Sequence, residues 1–387
     1  MAAYRPPRIA IVAGEPSGDL LGSHLIAALR ARCPGVEFYG IAGPKMIFAG
    51  ARTLFSMEKL SVNGYVEVVR HLPELLAIRR KLKQAILADP PDLFIGIDAP
   101  DFNFSLESDL KARGIPTIHY VSPSIWAWRG ERIKKIARAV SHMLVVFPFE
   151  EAIYRKAGIP VTYVGHPLAD MLPERPDRLA VRKRLGMSPD VRVIALLPGS
   201  RVSELNQHAQ LFIETAQLVE AQHPGIHFVA PLVNRETREI FTAALHRCPN
   251  PPSIQIMIGH ADYAMIAADL VLVASGTATL EAALLQRPMV ITYRVPKLTA
   301  WLMRNKRAYL PWVGLPNILA NRGLVPELLQ EQATPLKLAE ALNTLLADKS
   351  LYREMEIEFA RQYRSLKQNT AVKMAAALMP YLEGKCG

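Results

Sequence analysis

The chain has 387 residues, half of them hydrophobic, and a formal net charge of +11 from 46 Lys and Arg against 35 Asp and Glu. This length exceeds what one hydrophobic core usually supports, so we expect two domains. The positive charge favours an anionic partner, which leaves a nucleic acid, an acidic membrane surface and a phosphorylated substrate open.

The cysteines and the N-terminus favour a cytoplasmic protein. Cys33, Cys248 and Cys386 are few and far apart, which argues against a disulfide framework or a metal cluster and fits a reducing cytosol. Met1–Arg8 is too short and too rich in Pro and Arg to be a signal peptide. No run of about 18 apolar residues predicts a membrane-spanning helix.

The first half of the chain alternates between strand-like and helix-like segments. Segments such as Gly18–Arg32 and Pro73–Leu87 are typical of helices. Alternation of this kind predicts a parallel sheet covered by helices. The apolar, β-branched runs that predict its strands are Ile9–Ala13, Phe38–Ile41, Leu93–Ile97, Thr117–Val121, Met143–Val146 and Val161–Val164.

The same pattern restarts after a polar stretch, Pro173–Pro189, and gives way to helices from about Pro335. Two doubly wound α/β domains are therefore expected, with ligands at the carboxyl ends of both sheets around one shared cleft. The second set of strands is Val193–Leu197, His227–Pro231, Ile254–Met257, Leu270–Val273 and Val290–Tyr293. The expected divisions are 1–170, a linker at 171–190, 191–345 and C-terminal helices at 346–387.

A small-residue turn, Ala274–Glu281, follows the buried run Leu270–Val273 and opens a helix. Its backbone N–H groups and the positive end of the helix suit an anion, and Glu281 suits two ribose hydroxyls. The turn therefore indicates a nucleotide diphosphate site. The alternative is simple capping by Ser275 or Thr277, but the spacing to Glu281 does not match a capping box.

A second glycine turn, Leu196–Arg201, follows the first strand of this domain. Gly199 allows close backbone approach, and Arg201 offers a planar fork to phosphate oxygens; the alternative is a surface arginine at a helix start. Neither turn contains a dinucleotide or Walker-type motif. Asp-x-Asp is absent from the chain, which removes the simplest way to hold a divalent ion against a diphosphate.

Two loops of the first domain carry candidate acceptor chemistry. Gly14–Asp19 follows the first strand, where Ser17 is expected to cap the next helix and is also a candidate ligand. Asp98 comes directly off another strand and is a candidate general base, with Asp101 as the second choice. The alternative for both carboxylates is an Asx turn that stabilises the loop.

Two further segments, one aromatic and one apolar with cations at its end, suggest contact with a lipid. Trp126 and Trp128 follow a strand, where they suit stacking on a sugar or covering an acyl chain, or equally the core. The segment Ser61–Lys83 is dense in apolar residues and ends in cations, so it is either a membrane-contacting surface or an amphipathic core helix. No nucleic-acid motif accompanies it, which places a membrane above nucleic acid as partner.

Together these motifs resemble the lipid-A-disaccharide synthase family. The match runs in order over nearly the whole chain, and several linked motifs make it far more specific than any one glycine turn. The motifs are Gly14–Asp19 (GEPSGD), Asp98–Asn103 (DAPDFN), Tyr120–Arg129 (YVSPSIWAWR), Leu197–Arg201 (LPGSR) and Ala274–Glu281 (ASGTATLE).

The resemblance implies an inverting glycosyltransferase with the GT-B fold of two Rossmann-like domains. The donor would be UDP-2,3-diacylglucosamine, the acceptor the 6-hydroxyl of 2,3-diacylglucosamine 1-phosphate, and the products a β-1,6 lipid A disaccharide 1-phosphate and UDP. The resemblance further implies catalysis without metal or cofactor, at the anionic inner face of the inner membrane of Gram-negative bacteria. It also implies that the helices from about Tyr352 pack on the N-terminal domain of the same chain or of a partner in a homodimer.

The resemblance also assigns residue roles. Asp98 would take the proton from the acceptor, with Ser17 as a second catalytic candidate, whereas Pro16 stands where relatives often have threonine. Expected UDP-sugar contacts are Gly199, Ser200, Arg201, Ser275, Gly276, Thr277, Glu281 and Asn317. Expected acceptor contacts are Glu15, Asp101, Asn103, Ser122 and Trp126. Expected membrane contacts are Val66, Val68, Val69, Leu72, Leu75 and Leu76.

Two other functions stay open on the residues alone. One keeps the fold and changes the chemistry, to a UDP-sugar 2-epimerase or a transferase acting on a soluble acceptor. The other is a nucleotide-sugar-binding or membrane-surface scaffold without catalysis. The apolar segment argues against the first, and loss of turnover on changing Asp98 would exclude the second.

Overall fold

The structure, a computed structural model, describes residues 5–60, 65–126, 130–295 and 311–386, with the backbone alone for 65–70. It divides into two compact units. The first comprises Met1–Asp170 and Leu366–Gly387, and the second comprises Met171–Ser365. Each unit has its own parallel sheet, so the prediction of two parallel-sheet α/β domains is confirmed.

The first unit is built on a seven-stranded sheet in the order β3-β2-β1-β4-β5-β6-β7. Its strands are β1 Arg8–Ala13, β2 Glu37–Ala42, β3 Ala51–Ser56, β4 Leu93–Ile97, β5 Thr117–Tyr120, β6 His142–Val145 and β7 Val161–Tyr163. Its helices in the first part of the chain are α1 Pro16–Arg32, α2 Pro44–Phe48, α3 Tyr65–Ala88, α4 Pro100–Lys111, α5 Ile133–Ala139, α6 Glu150–Lys156 and α7 Pro167–Met171, which ends at the unit boundary.

The second unit is built on a six-stranded parallel sheet in the order β10-β9-β8-β11-β12-β13. Its strands are β8 Val193–Leu197, β9 His227–Leu232, β10 Ile254–Ile258, β11 Leu270–Ala274, β12 Met289–Tyr293 and β13 Glu327–Leu329. Its helices are α8 Arg178–Arg184, α9 Val202–Gln222, α10 Arg235–Arg247, α11 Ala261–Ala267, α12 Thr277–Leu284, α13 Leu315–Ala320, α14 Pro335–Ala347 and α15 Lys349–Leu366, whose last residue joins the first unit.

The central strands are apolar because helices cover both of their faces. Strands β4, β8 and β11 are buried along their whole length. In each sheet the strand order reverses between two neighbours, β1 and β4 in the first unit and β8 and β11 in the second. Ligands of doubly wound folds bind outside the carboxyl ends of such a pair, so these two positions define where the sites are expected.

The C-terminal block expected at 346–387 is divided between the units. Helix α15 lies in the second unit up to Ser365, whereas residues 366–387 lie in the first. This last segment forms α16, Thr370–Leu378, which buries Met374, Ala375 and Leu378. The C-terminal helix thus completes the first unit of its own chain.

The cysteines differ from the prediction. Cys33, directly after α1, forms a disulfide with Cys386, whereas Cys248 is free and buried. The sequence argued against a disulfide framework, and this single bond was not predicted. The partners are 353 residues apart in sequence, and only the return of the C-terminal segment to the first unit brings them together.

Candidate functional site

In the first unit, the loops that follow β1 and β4 lie side by side. Ala13 and Ile97 are register partners at the ends of these strands. A β-carbon at Gly14 would lie 2.8 Å from the Cβ of Ala99, so this approach requires glycine. The GEPSGD and DAPDFN motifs therefore meet at the point where the strand order reverses.

Asp98 occupies a strained turn at this point. Asp98 and Ala99 have φ values of 51° and 43°, in the left-handed region that non-glycine residues rarely adopt. The turn is held because the Asp98 N–H donates to the Tyr120 carbonyl at 2.9 Å and the Asn103 Nδ2 donates to the Asp98 carbonyl at 2.8 Å. The Asp98 side chain is partly exposed. Strain of this kind, fixed by surrounding bonds, is typical of functional positions.

Two expected acceptor residues on α4 have other partners. Asn103 is fully buried and its amide supports the Asp98 turn, while its contact with the acceptor stays a prediction. Asp101 is exposed and forms an ion pair with Arg132. Of the two carboxylates in this loop, Asp98 alone lies in the strained turn.

The start of α1 differs from the prediction in one respect. The N-cap residue is Glu15, and Pro16 opens the helix, so Ser17 lies inside the first turn. The expected capping by Ser17 is therefore wrong, because proline at the first helical position moves the cap one residue earlier than Pro16. Glu15 and Ser17 are both exposed.

The third loop of this region, after β5, contains Ser122 and Trp126. Ser122 Oγ lies 2.7 Å from the Tyr154 hydroxyl, and Trp126 packs edge-on against Phe149 with ring centroids 5.3 Å apart. Trp128 lies outside the described residues. Ser122 and Trp126 thus have structural partners on the segment that follows β6, and both remain partly exposed.

One residue of this region, Glu150, was not predicted from the sequence. It opens α6 and is fully buried, and its Oε2 accepts from Phe147 N at 2.9 Å and Val146 N at 3.2 Å. Burial raises the pKa of Glu150 to about 7, although the backbone N–H of Phe147 and the side chains of Ser122 and Trp126 oppose the rise. The available signal was a carboxylate directly after an apolar run, which also describes an ordinary helix start.

In the second unit, a cavity of about 440 Å³ lies at the carboxyl ends of β8 and β11. Residues 199–201 and 274–278 line it, together with Pro231, Val233 and Tyr293 among others. The two glycine turns predicted for the nucleotide therefore share one cavity. Gly276, the N-cap of α12, has a φ of 147°, which favours glycine and leaves Thr277 exposed at the amino end of the helix.

The backbone of the other turn is partly occupied. Glu204 Oε2 accepts from Ser200 N at 2.8 Å and from Arg201 N at 3.2 Å, so the amino end of α9 is capped by its own carboxylate. The side chain of Arg201 is exposed beside the cavity. The cationic fork of Arg201 and the amino end of α12 are therefore the features best suited to an anion here.

Glu281 lies one turn further along α12. It is half-buried, and burial together with the nearby Asp262 raises its pKa. It is not among the described residues that line the cavity. Its contact with a ribose therefore stays a prediction.

Comparison with known proteins shows the family of the chain. A family model described as lipid-A-disaccharide synthetase matches residues 9–380. The lipid-A-disaccharide synthase of Methylobacillus flagellatus is 58% identical over 97% of this chain and 100% of that protein. That of Azoarcus sp. is 57% identical over 97% of this chain and 96% of that protein.

The chain belongs to the lipid-A-disaccharide synthase family. It is therefore a glycosyltransferase of lipid A biosynthesis in Gram-negative bacteria. Solved structures share the fold at low identity. The calicheamicin glycosyltransferase CalG4 superposes with a TM-score of 0.61 at 18% identity, covering 99% of this chain and all of that one. A UDP-GlcNAc 2-epimerase from Neisseria meningitidis bound to UDP-GlcNAc gives 0.59 at 12%, covering 97% and 99%.

One residue expected from the family resemblance to contact UDP, Asn317, has structural partners of its own. Asn317 is fully buried, and its Nδ2 donates to Val325 O and Glu327 Oε1. Its Oδ1 accepts from Leu324 N and Val325 N. These bonds occupy the whole amide within its own loop, so Asn317 supports the local fold of this synthase-family chain, and its contact with UDP stays a prediction.

The expected membrane contacts lie on α3, and the structure describes the side chains of three of them. Leu72 and Leu76 are 46% and 44% exposed, and Leu75 is half-buried. The side chains of Val66, Val68 and Val69 lie outside the described residues. Among the described residues, no helix is both long and apolar enough to cross a bilayer.

Proposed function

We propose that this glycosyltransferase moves 2,3-diacylglucosamine from its UDP derivative to the 6-hydroxyl of 2,3-diacylglucosamine 1-phosphate, with inversion. The products are the β-1,6-linked lipid A disaccharide 1-phosphate and UDP. The observation that carries the proposal is the family match over residues 9–380. The nucleotide-type cavity of the second unit and the strained Asp98 turn of the first supply the two halves of this chemistry.

In this proposal, Asp98 is the general base. Inversion requires the acceptor oxygen to attack the anomeric carbon from the face opposite the leaving group. A carboxylate that takes the hydroxyl proton during this attack raises the nucleophilicity of the oxygen. The left-handed turn supports this role, because it presents Asp98 at the carboxyl edge of the sheet and ties its backbone to Tyr120 and Asn103.

The departing UDP carries negative charge, and the second unit offers positive charge where its diphosphate would lie. Arg201 supplies a cation, and the amino end of α12 supplies backbone N–H groups and the positive end of the helix dipole. We propose that these groups do the work that a divalent ion does in other transferases, so turnover should not require metal.

The exposed leucines of α3 support a peripheral position on a membrane. Leu72 and Leu76 face outward, and Arg80 and Lys81 follow on the same helix and are also exposed. Apolar side chains beside cations suit insertion among anionic head groups. We propose attachment to the inner face of the inner membrane, where the diacylated substrates would be embedded.

The experiment that tests the reaction measures UDP release by the purified protein in detergent micelles with EDTA present. UDP-2,3-diacylglucosamine is supplied with and without 2,3-diacylglucosamine 1-phosphate. Release that requires the acceptor would support a metal-independent transferase. Release without acceptor, or UDP binding without turnover, would favour an epimerase-like enzyme or a binding protein.

The role of Asp98 is tested by Asp98→Asn. We expect kcat to fall by about 10²- to 10⁴-fold, the usual contribution of a general base, while the Kd for UDP changes little. Asp101→Asn is the matched control in the same loop and should have a much smaller effect, because Asp101 is exposed and ion-paired with Arg132. Equal losses from the two changes would argue against a specific base.

A further inference from the structure

A buried acid–histidine pair lies behind the Asp98 turn. Glu107 is on α4 and His119 is on β5, and both are fully buried. Glu107 Oε1 lies 2.7 Å from His119 Nδ1. Neither residue contributes to the proposed reaction as described so far, although α4 is the helix that begins at the turn carrying Asp98.

The pair is in close contact with the supports of that turn. Gly96 on β4 is the register partner of His119. A β-carbon at Gly96 would lie 2.2 Å from Glu107 Oε1 and 3.0 Å from Asn103 Cγ. The Asn103 amide in turn donates to the Asp98 carbonyl. Glu107 and Asn103, one turn apart on α4, thus both lie against Gly96, and each has one further bond, to His119 and to the Asp98 carbonyl.

The pair is poorly suited to stabilising the fold. Burial raises the pKa of Glu107, which means that its charged form is disfavoured by the surroundings. Glu107 Oε2 and His119 Nε2 are buried and have no hydrogen-bond partner among the described residues. Apolar residues of similar size usually stabilise such a site equally well or better. What the hydrogen bond adds is a defined geometry between α4 and β5.

We propose that Glu107 and His119 are positioning residues that act through Asp98. Their bond fixes the rotation and height of α4 on the sheet. This in turn places the Asn103 amide where it can hold Asp98 and Ala99 in their left-handed conformations. The inference rests on the proposed role of Asp98 as the base, and it adds that the base depends on a buried pair that never contacts substrate.

The test is a comparison of kcat and KM for Glu107→Gln and His119→Asn. Both substitutions keep a polar group of similar reach and weaken the bond. Because displacement of a reacting group by about 1 Å costs up to about 10²-fold in rate, we expect kcat to fall by about 10- to 100-fold. The KM for the UDP-sugar donor and the Kd for UDP should change by less than about twofold, since the nucleotide cavity is in the other unit.

A double-substitution cycle with Asp98→Asn separates positioning from general damage. If Glu107 acts through Asp98, the double variant with Glu107→Gln and Asp98→Asn should have the same single-turnover rate as Asp98→Asn alone. If Glu107→Gln lowers the rate by the same factor in the wild type and in Asp98→Asn, the inference is overturned, while the proposed role of Asp98 as the base is unaffected. If Asp98→Asn alone kept full kcat, the proposed base would fail, and the positioning role would fail with it.

Thr117→Val is the matched control for stability. Thr117 is buried at the first position of β5, the strand that also carries His119. Its hydroxyl donates to the Ala139 carbonyl at the end of α5. It should lower the melting temperature without changing kcat. If Glu107→Gln and His119→Asn behave like Thr117→Val, with lower melting temperature and unchanged kcat, the pair is structural and the inference is wrong. If one of the pair variants fails to fold, the other gives the same comparison.

Discussion

Arg201 illustrates how a single side chain indicates a ligand. A cation at the amino end of a helix is disfavoured by the helix dipole, and the backbone N–H groups there are already bonded to Glu204. The guanidinium is nevertheless exposed beside the cavity of the second unit. An anionic ligand bound in that cavity, as we propose, would offset the unfavourable interaction of the guanidinium with the helix dipole.

We therefore expect Arg201→Ala to weaken UDP binding. Hydrogen bonds to charged groups contribute about 1.5–3 kcal/mol, so the Kd should rise by about 10- to 100-fold. Isothermal titration with UDP measures this directly. Arg201→Lys is the matched control and should recover only part of the affinity, because lysine keeps the charge but lacks the planar fork. Unchanged affinity in Arg201→Ala would remove Arg201 from the site.

Glu150 is expected to make the stability of the first unit depend on pH. Burial, the largest cause, raises its pKa from 4.5 to about 7. Between these values the folded state holds a proton that the unfolded chain releases, so this residue's contribution to stability falls as the pH rises through that window and then levels off.

Glu150→Gln should remove this dependence, since the amide stays neutral and can still accept from Phe147 and Val146. At pH 8 the variant should be more stable than the wild type by about 3 kcal/mol, and at pH 4.5 the two should be nearly equal. Urea unfolding at both pH values measures the difference. A difference that is the same at both would show that Glu150 does not titrate in this range.

At the scale of elements, the described side chains of α3 are mostly exposed up to Leu76, and a buried stripe begins at Ile78. Ile78, Leu82 and Ile86 are buried in the first unit, whereas Leu72 and Leu76 are nearly half exposed. Exposed leucines one turn apart are either an ordinary surface feature or a contact with something apolar. Only replacement of the exposed pair tells these apart.

We expect Leu72→Ser with Leu76→Ser to abolish binding to vesicles that contain anionic phospholipid, without lowering the melting temperature. Leu82→Ala is the control in the buried stripe and should cost about 2–5 kcal/mol of stability with no specific effect on vesicle binding. Cosedimentation with vesicles and thermal melts give the two readouts. If the double serine variant melts early instead, Leu72 and Leu76 belong to the core.

The interior of each sheet could be predicted from the sequence, whereas one of the two edge strands of each sheet could not. Strands β4 and β8 match their apolar runs residue for residue, because burial on both faces demands an unbroken apolar sequence. Edge strands β3 and β13 were missed, since partial exposure lets them carry polar residues. Helix α3 begins before Pro73, so the proline did not mark its start.

The position of a candidate residue was predictable where the residue follows a strand directly, as Asp98 follows β4, and its role as the base stays a proposal. The role of a polar side chain was not predictable where tertiary packing buries it. Asn103 and Asn317 have residue types suited to ligands, yet the structure uses both amides to hold loop backbone. Glu150 and Glu107 are buried only because of helix packing that no local pattern specifies.

At the scale of the whole molecule, the chain enters the second unit after Asp170 and returns at Leu366. Asp170, where the chain leaves the first unit, is bonded to the segment that returns to it. Its carboxylate accepts from Asn369 N at 3.0 Å and Thr370 N at 2.6 Å, at the start of α16. His166 N also donates to the Leu366 carbonyl at 2.9 Å. The first unit is therefore completed only after the second has been synthesised.

Because the chain returns to the first unit at Leu366, we expect the stability of that unit to depend on the C-terminal segment. Truncation after Lys367 removes α16 and with it the buried Met374, Leu378 and Leu382. At about 1.5–3 kcal/mol for each side chain, this loss approaches the whole stability of an ordinary domain. We expect the first unit to unfold or aggregate while the second still binds UDP, as measured by calorimetry and by titration of the truncated protein.

Truncation after Leu382 is the control that separates helix packing from the disulfide. It removes Cys386 and so the bond to Cys33, but it leaves α16 and Leu382 in place. A small effect here beside a large effect of the longer truncation would assign the stability to burial of α16 against the unit. Equal effects would instead assign it to the covalent link, because a bond closing a loop of this length restricts mainly the unfolded chain.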